Sequence, residues 1–349
     1  MYIFVLISTL ITYFLGKYSK RFEPFYFLTI ILTLVCGLRG EFVGVDTQSY
    51  HNIFNNLLIE SPVRIIEYGY LLFLKLVIAL QGTQQLVFLV FAGFTIYCFS
   101  RFIIRYSKDP YLSLTIFVLV GPLYLSTFNQ IRQYLAIGIF LTYLIPLIKE
   151  KKFNNFLAIT LATTFFVHFS ALVLIPFYFI LNKKISLFNK VSFIILFNIF
   201  TSYIISLILM TPYGYFILKR EDIEVGKLLF FSQIIISFLI LCVENKITQK
   251  KINRNVFFNM AYFSIFMLVP LFINNNIPVE IFTRMNSYFF PFIIILIPDL
   301  LDRFTKTSNK ILTPLFLIFL SLYFFRNTIL IGESYNLFPY DFNTRLFSF

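Results

Sequence analysis

Apolar runs of roughly 14 to 20 residues follow one another along the whole chain, and none shows the period-two alternation of barrel strands. They lie near 2–16, 25–38, 84–104, 111–128, 131–148, 153–167, 169–181, 191–210, 228–243, 256–273, 285–301 and 311–330. The pattern predicts an all-α polytopic membrane protein with about twelve crossings, folded as one integral membrane domain over residues 1–349. A long outer loop, 39–83, and a short outer tail, 331–349, are the largest stretches outside these runs. Tyr68–Leu80 is apolar but only about 20 Å long as a helix, so it reads as a re-entrant or interfacial outer helix. The pair 153–167 and 169–181 is short for two full spans and reads as a hairpin with His168 at its outer apex. The first run has no basic residue before it and no small-residue cleavage site, so it reads as an anchor and not as a removed signal peptide.

Charge sets the orientation. Six basic clusters separate the runs: Lys17–Arg21, Arg101–Lys108, Lys149–Lys152, Lys183–Lys190, Lys246–Arg254 and Arg303–Lys310. They hold 19 of the 29 Lys and Arg residues, and the positive-inside rule makes them cytoplasmic. The net charge of +13 then lies on one side of the membrane, so topology accounts for it and no nucleic-acid partner is implied. Charged residues are 13% of the chain against about 25% in soluble domains. The many Phe, Ile, Asn and Lys residues, with no Trp, fit an AT-rich bacterial genome. The three cysteines, Cys36, Cys98 and Cys242, are widely spaced in apolar runs and suggest neither a disulfide framework nor a metal site. No cofactor motif is visible, and two histidines exclude a His-rich metal site.

This orientation sends a distinct set of polar residues outward. The stretch Arg39 to Tyr50 interrupts the hydrocarbon with an arginine, two carboxylates (Glu41 and Asp46) and hydroxyls. Glu67 precedes the short helix, Arg132 and Gln133 open the fifth run, His168 sits at the hairpin apex, and Arg284 heads the eleventh run. Each has an ordinary reading. Arg132 and Arg284 can snorkel, His168 can pack between helices, Asp46 can cap a turn, and Glu67 can be a helix N-terminal acid. His51, Lys219–Glu224 and Asn274–Asn276 read as loop surface. Snorkelling alone does not explain lone arginines outside and lysine clusters inside. Arginine's planar fork matches phosphate oxygens, so several at one outer vestibule suggest a membrane-embedded anion such as a lipid diphosphate.

The order of motifs carries a resemblance. Leu38-Arg39 is followed by Gly44-Val45-Asp46-Thr47-Gln48-Ser49-Tyr50, then Glu67-Tyr68-Gly69-Tyr70 and Phe128-Asn129-Gln130-Ile131-Arg132-Gln133. Phe166-Val167-His168-Phe169-Ser170-Ala171-Leu172, Arg284 and Phe338-Pro339-Tyr340 complete the series. Over nearly its whole length the chain resembles the EpsG family of Wzy-type polysaccharide polymerases, though Val45 stands where a small or polar residue is more typical. The resemblance implies a C-type glycosyltransferase-like fold in a bacterial cytoplasmic membrane, with the active site facing outside. It implies joining of undecaprenyl-diphosphate-linked oligosaccharide units of an O-antigen, capsule or exopolysaccharide, with a flippase and a chain-length regulator as candidate protein partners. On this reading Arg39, Arg132 and Arg284 bind the diphosphate, Gln133 and Glu67 bind substrate, and Asp46 and His168 compete as the catalytic base. The rival classes are a transporter or flippase for the same lipid-linked sugar and a membrane acyltransferase that modifies polysaccharide. The first should show an internal repeat and midplane polar groups, and neither is evident. The second has no use for several outer arginines.

Overall fold

The computed structural model describes residues 1–19, 22–61, 67–210, 227–244, 255–273, 279–302, 306–330, 332 and 336–347. Arg64, the Lys219–Glu224 and Asn274–Asn276 loops and the body of the Lys246–Arg254 cluster lie outside the described residues. The chain groups into two compact units, one of Met1–Leu174 with Ile297–Phe349 and one of Ile175–Leu296.

The described residues are helical, with two isolated bridges and no sheet. Five helices among them are long and apolar enough to cross a membrane by length and composition, and the other apolar helices are shorter. In the first unit the order is α1 (Tyr2–Ser19), α2 (Glu23–Gly37), α3 (Thr47–Leu58), α4 (Tyr68–Ala79), α5 (Gln84–Tyr106) and α6 (Pro110–Leu119). There follow α7 (Ile131–Ile139), α8 (Ile145–Lys149), α9 (Phe153–Phe166) and, near the C-terminus, a long helix over Lys306–Phe325. Helix α5 is the centre, packed by α2 on one side and α7 on the other. Gly37 allows the first contact, because a Cβ there would meet Leu89 Cα at 2.7 Å. Gly138 allows the second, where a Cβ would meet Cys98 Cβ at 2.8 Å. Small residues let helix backbones approach where no water drives association.

One expected span, 111–128, is interrupted, and another, 131–148, is present as one helix that carries a π turn. The run 111–128 is not one helix: α6 stops at Leu119, and after Gly121-Pro122 the chain makes a 3-10 turn, Leu125–Phe128. Pro122 has no amide to donate and disfavours helix at the residue before it. A freed carbonyl finds a partner, as the Tyr134 hydroxyl donates to Pro122 O, and the Tyr124 hydroxyl ties the segment to α2 by donating to Leu32 O at 2.8 Å. Within the continuous helix Ile131–Lys149, α7 passes into α8 through a π turn, Phe140–Leu144, just before Pro146. The Thr142 hydroxyl there reaches Cys98 O at 2.6 Å.

The 39–83 stretch, expected as an outer loop, holds more structure than its composition suggests. Besides α4, close to the expected short helix, it contains α3, read from sequence as loop. Thr47, Tyr50 and Phe54 are the buried face of α3, spaced i, i+3, i+7, and Tyr50 and Phe54 join Tyr70, Leu74 and Phe88 in one apolar cluster. Between α2 and α3 the loop turns at Gly44, whose φ of +100° is in the left-handed region. A Cβ there would also lie 2.7 Å from Asn129 Oδ1. Gly44→Ala should therefore cost about 1–3 kcal/mol, seen as a lower melting temperature in detergent. Val45→Ala, at a neighbour 42% exposed, should leave the melt unchanged.

The C-terminal tail is stitched to this loop. Gly40 N–H donates to Asp341 O at 2.9 Å, Asn343 N–H to Leu38 O at 2.9 Å, and Gly44 N–H to Asn336 O at 2.6 Å. Arg39 and Phe342 form an antiparallel bridge, and the Tyr340 hydroxyl donates to Val35 O at 2.5 Å. Further along, Thr83 N–H donates to Leu346 O at 2.9 Å.

The second unit contains α11 (Leu187–Leu209), α12 (Lys227–Cys242), α13 (Asn255–Leu268), the one-turn α14 (Pro270–Ile273) and α15 (Val279–Phe289), with most of α10 (Leu174–Leu181) and the first part of α16 (Ile293–Leu301). Renumbered in this order, the long C-terminal helix Lys306–Phe325 is α17. Buried amides join its helices: Asn259 Nδ2 donates to Leu181 O and Lys183 O, both at 2.8 Å, and Asn286 Nδ2 donates to Gln233 Oε1 at 2.7 Å.

Candidate functional site

Arg39 follows α2 directly and is 0% exposed. Nη1 donates to Cys36 O at 2.6 Å and Nε to Thr47 Oγ1 at 3.3 Å. The guanidinium carbon lies 4.1 Å from the centre of the Phe88 ring. Its ionisable neighbours include Cys36, Tyr50, Tyr340, Tyr2, Tyr124 and His51. Among the described residues no carboxylate pairs with it, and Nη2 is buried without a hydrogen-bond partner. Burial works against its charge. Buried guanidinium groups are ordinarily paired, so this arrangement lacks an anion.

A second constellation forms around Glu67. Its side chain does not cap α4, the expected ordinary role, but reaches two other elements. One oxygen pairs with Arg132 Nη1 at the start of α7, and the other accepts the Phe169 N–H at 3.0 Å. The pair is well covered, Arg132 being 15% exposed and Glu67 6%. The Arg132 guanidinium also lies 4.8 Å from the Tyr70 ring centre and 5.7 Å from that of Tyr50. Phe169 begins a 3-10 turn, Phe169–Val173, and His168 is its N-cap, with extended backbone. The helical break expected at His168 is therefore present. His168 Nδ1 accepts the Ser170 N–H at 3.1 Å and lies 2.8 Å from Ser170 Oγ.

Asp46 occupies the N-cap position of α3, but its carboxylate does not cap the helix. The Thr47 hydroxyl instead turns back to Val43 O at 2.6 Å. Gln133 is buried in α7, one position after Arg132. The structure thus gathers Arg39, Asp46, Glu67, Arg132, Gln133 and His168 in the first unit. Arg284 belongs to the second, in α15, where it pairs with Glu280 one helical turn earlier. His51, read as loop surface, is half-buried, and its ring packs edge-on against Phe88 at 5.5 Å. Burial holds its imidazole below the usual range, with Glu41 opposing.

Sequence reasoning passed over the aromatic frame of both arginines. Tyr50, Tyr70 and Phe88 pack edge to face, 6.4 and 6.1 Å between ring centres, on three different helices. Tyr50 and Tyr70 were quoted within motifs, and only their neighbours in space give them a role. Among the described residues no group of three or more His, Cys, Asp or Glu is placed to hold a metal ion.

The family model of the EpsG family matches residues 22–342, nearly the whole chain. The chain belongs to the EpsG family. No curated protein and no solved structure matches it. EpsG proteins are Wzy-polymerase-like, so this is a membrane protein of polysaccharide biosynthesis, in the class associated with glycosyltransferase-like polymerases and lipid-linked saccharides. The family match takes in every candidate residue, from Arg39 to Arg284, and the tail as far as Phe342.

Proposed function

We propose that this EpsG-family protein joins oligosaccharide units carried on undecaprenyl diphosphate, transferring the growing chain to a sugar hydroxyl at the outer leaflet of a bacterial cytoplasmic membrane. The observation that carries this reading is the buried Arg39 guanidinium, with Nη2 unpartnered and no carboxylate beside it. A cation kept out of water without a counter-ion is costly, and an arriving diphosphate would supply the missing charge. Tyr2, Tyr50 and Tyr340 stand around it.

In this reading Arg39 and Arg132 stabilise the negative charge that grows on the leaving diphosphate, which donors already in place do with least reorganisation. Arg132 begins paired to Glu67, so the ligand exchanges one anionic partner for another. Glu67 and Gln133 line the substrate side. Asp46, at the start of α3, takes the proton of the acceptor hydroxyl as the anomeric carbon changes partners. About twelve crossings and a C-type glycosyltransferase-like arrangement belong to the same proposal.

The test is the lipid profile of a strain lacking this protein. A polymerase defect should leave single repeat units on the lipid carrier at the outer leaflet. Units retained at the inner leaflet would indicate a flippase, and full-length polymer lacking an acyl group would indicate an acyltransferase. Either result would overturn the reading.

A further inference from the structure

His168 is one of two histidines in the chain, and the geometry around it decides which nitrogen carries the proton. The Ser170 N–H lies 3.1 Å from Nδ1. A backbone amide can only donate, so Nδ1 must present a lone pair. An imidazolium, with protons on both nitrogens, could not accept this bond. The neutral ring then bears its proton on Nε2. Ser170 Oγ, 2.8 Å from Nδ1, is cast as a second donor to the same lone pair. The neighbouring peptide is fixed as well, since Phe169 N–H donates to Glu67 Oε1 at 3.0 Å while Arg132 holds the other carboxylate oxygen.

We propose that His168 serves the reaction as a hydrogen-bond donor through Nε2–H, not as its general base, with the Ser170 amide as the positioning group that sets this tautomer. The role rests on the polymerase reading, while the tautomer does not. A general base needs an unprotonated nitrogen facing the acceptor hydroxyl, and here the unprotonated nitrogen is already engaged within its own turn. In the transfer step the bond from the anomeric carbon to the diphosphate oxygen breaks, and its electron pair leaves with the diphosphate. A bond to the acceptor oxygen forms, and the acceptor's proton passes to the Asp46 carboxylate. His168 keeps its proton throughout and donates a hydrogen bond to an oxygen of the departing diphosphate. Glu67 becomes a positioning residue for this donor, through Phe169.

Two measurements test the proposal. The first uses protein labelled with ¹⁵N-histidine in lipid nanodiscs, purified through a histidine-free tag. In a His51→Gln background His168 is the single imidazole, and its nitrogen shifts report the tautomer directly. A proton on Nε2 and none on Nδ1 at neutral pH is expected. A proton on Nδ1, or on both nitrogens, overturns the proposal. The second compares His168→Ala with His168→Gln in polymer synthesis from a lipid-linked repeat unit. The glutamine amide places an N–H near the position of Nε2 but cannot act as a base. The alanine variant should lose about 100-fold or more, the effect of removing one charge-stabilising donor, and glutamine should restore most of it. A glutamine variant as inactive as alanine, at equal abundance in the membrane, overturns the donor role. Wild-type protein that makes no polymer removes the polymerase reading, and the role with it, whatever the tautomer.

Discussion

Arg132→Ala should reduce polymer synthesis by about 100-fold or more and destabilise the protein by about 3–5 kcal/mol. The stability loss follows from what is left behind. Glu67, 6% exposed, would keep one amide donor, the Phe169 N–H, and lose its counter-ion. Tyr70 would lose the cation packed 4.8 Å from its ring centre. Because one substitution disturbs both stability and function, the double variant Glu67→Gln/Arg132→Met is the informative one. It removes both buried charges together, and replacing a buried pair by uncharged groups is often close to neutral. Its melting temperature in detergent should return near that of the wild type while polymer remains absent. A double variant that regained polymer would make the pair a structural clasp and remove Arg132 and Glu67 from substrate binding.

Arg39→Met should behave in the opposite way with respect to stability. This guanidinium is fully buried and faces no carboxylate, so its removal relieves a desolvated charge. The loss of its bond to Cys36 O costs about 1–3 kcal/mol, comparable to or smaller than the effective penalty of several kcal/mol for a buried unpaired ion. Methionine keeps the apolar stem against Phe88. The melting temperature should therefore hold or rise, and polymer synthesis should fall by about 100-fold or more. Together these outcomes mark a charge retained for function at the expense of stability. A large fall in melting temperature would instead make Arg39 a structural anchor for the loop and tail around Gly40 and Asp341.

These residues differ in how far the chain alone announces them. Arg39, Arg132 and His168 stand out because each is a polar group at the edge of an apolar run, where placement is expensive. The break at His168 was visible for the same reason. Helix α3 was not, because Gln48, Ser49, His51 and Asn52 make it polar overall, and its buried face is only Thr47, Tyr50 and Phe54. The interruption after Leu119 was announced by Gly121-Pro122 but masked by the length of the apolar run around it. The tail was quoted for Tyr340, and nothing in its composition shows that it pairs with residues some 300 positions earlier.

Hydrophobic periodicity by itself determined that the chain is helical and belongs in a membrane, and the order of its motifs determined the EpsG family. Both are properties of neighbouring residues along the chain. Only the tertiary structure decided that Glu67 binds Arg132 and the Phe169 amide, that Arg39 pairs with no carboxylate among the described residues, and that the Ser170 amide points at His168 Nδ1. The physical reason is that a charge is defined by what surrounds it. Sequence names the ionisable group, but its partner, its burial and the position of its proton are set by atoms that the fold brings from elsewhere in the chain.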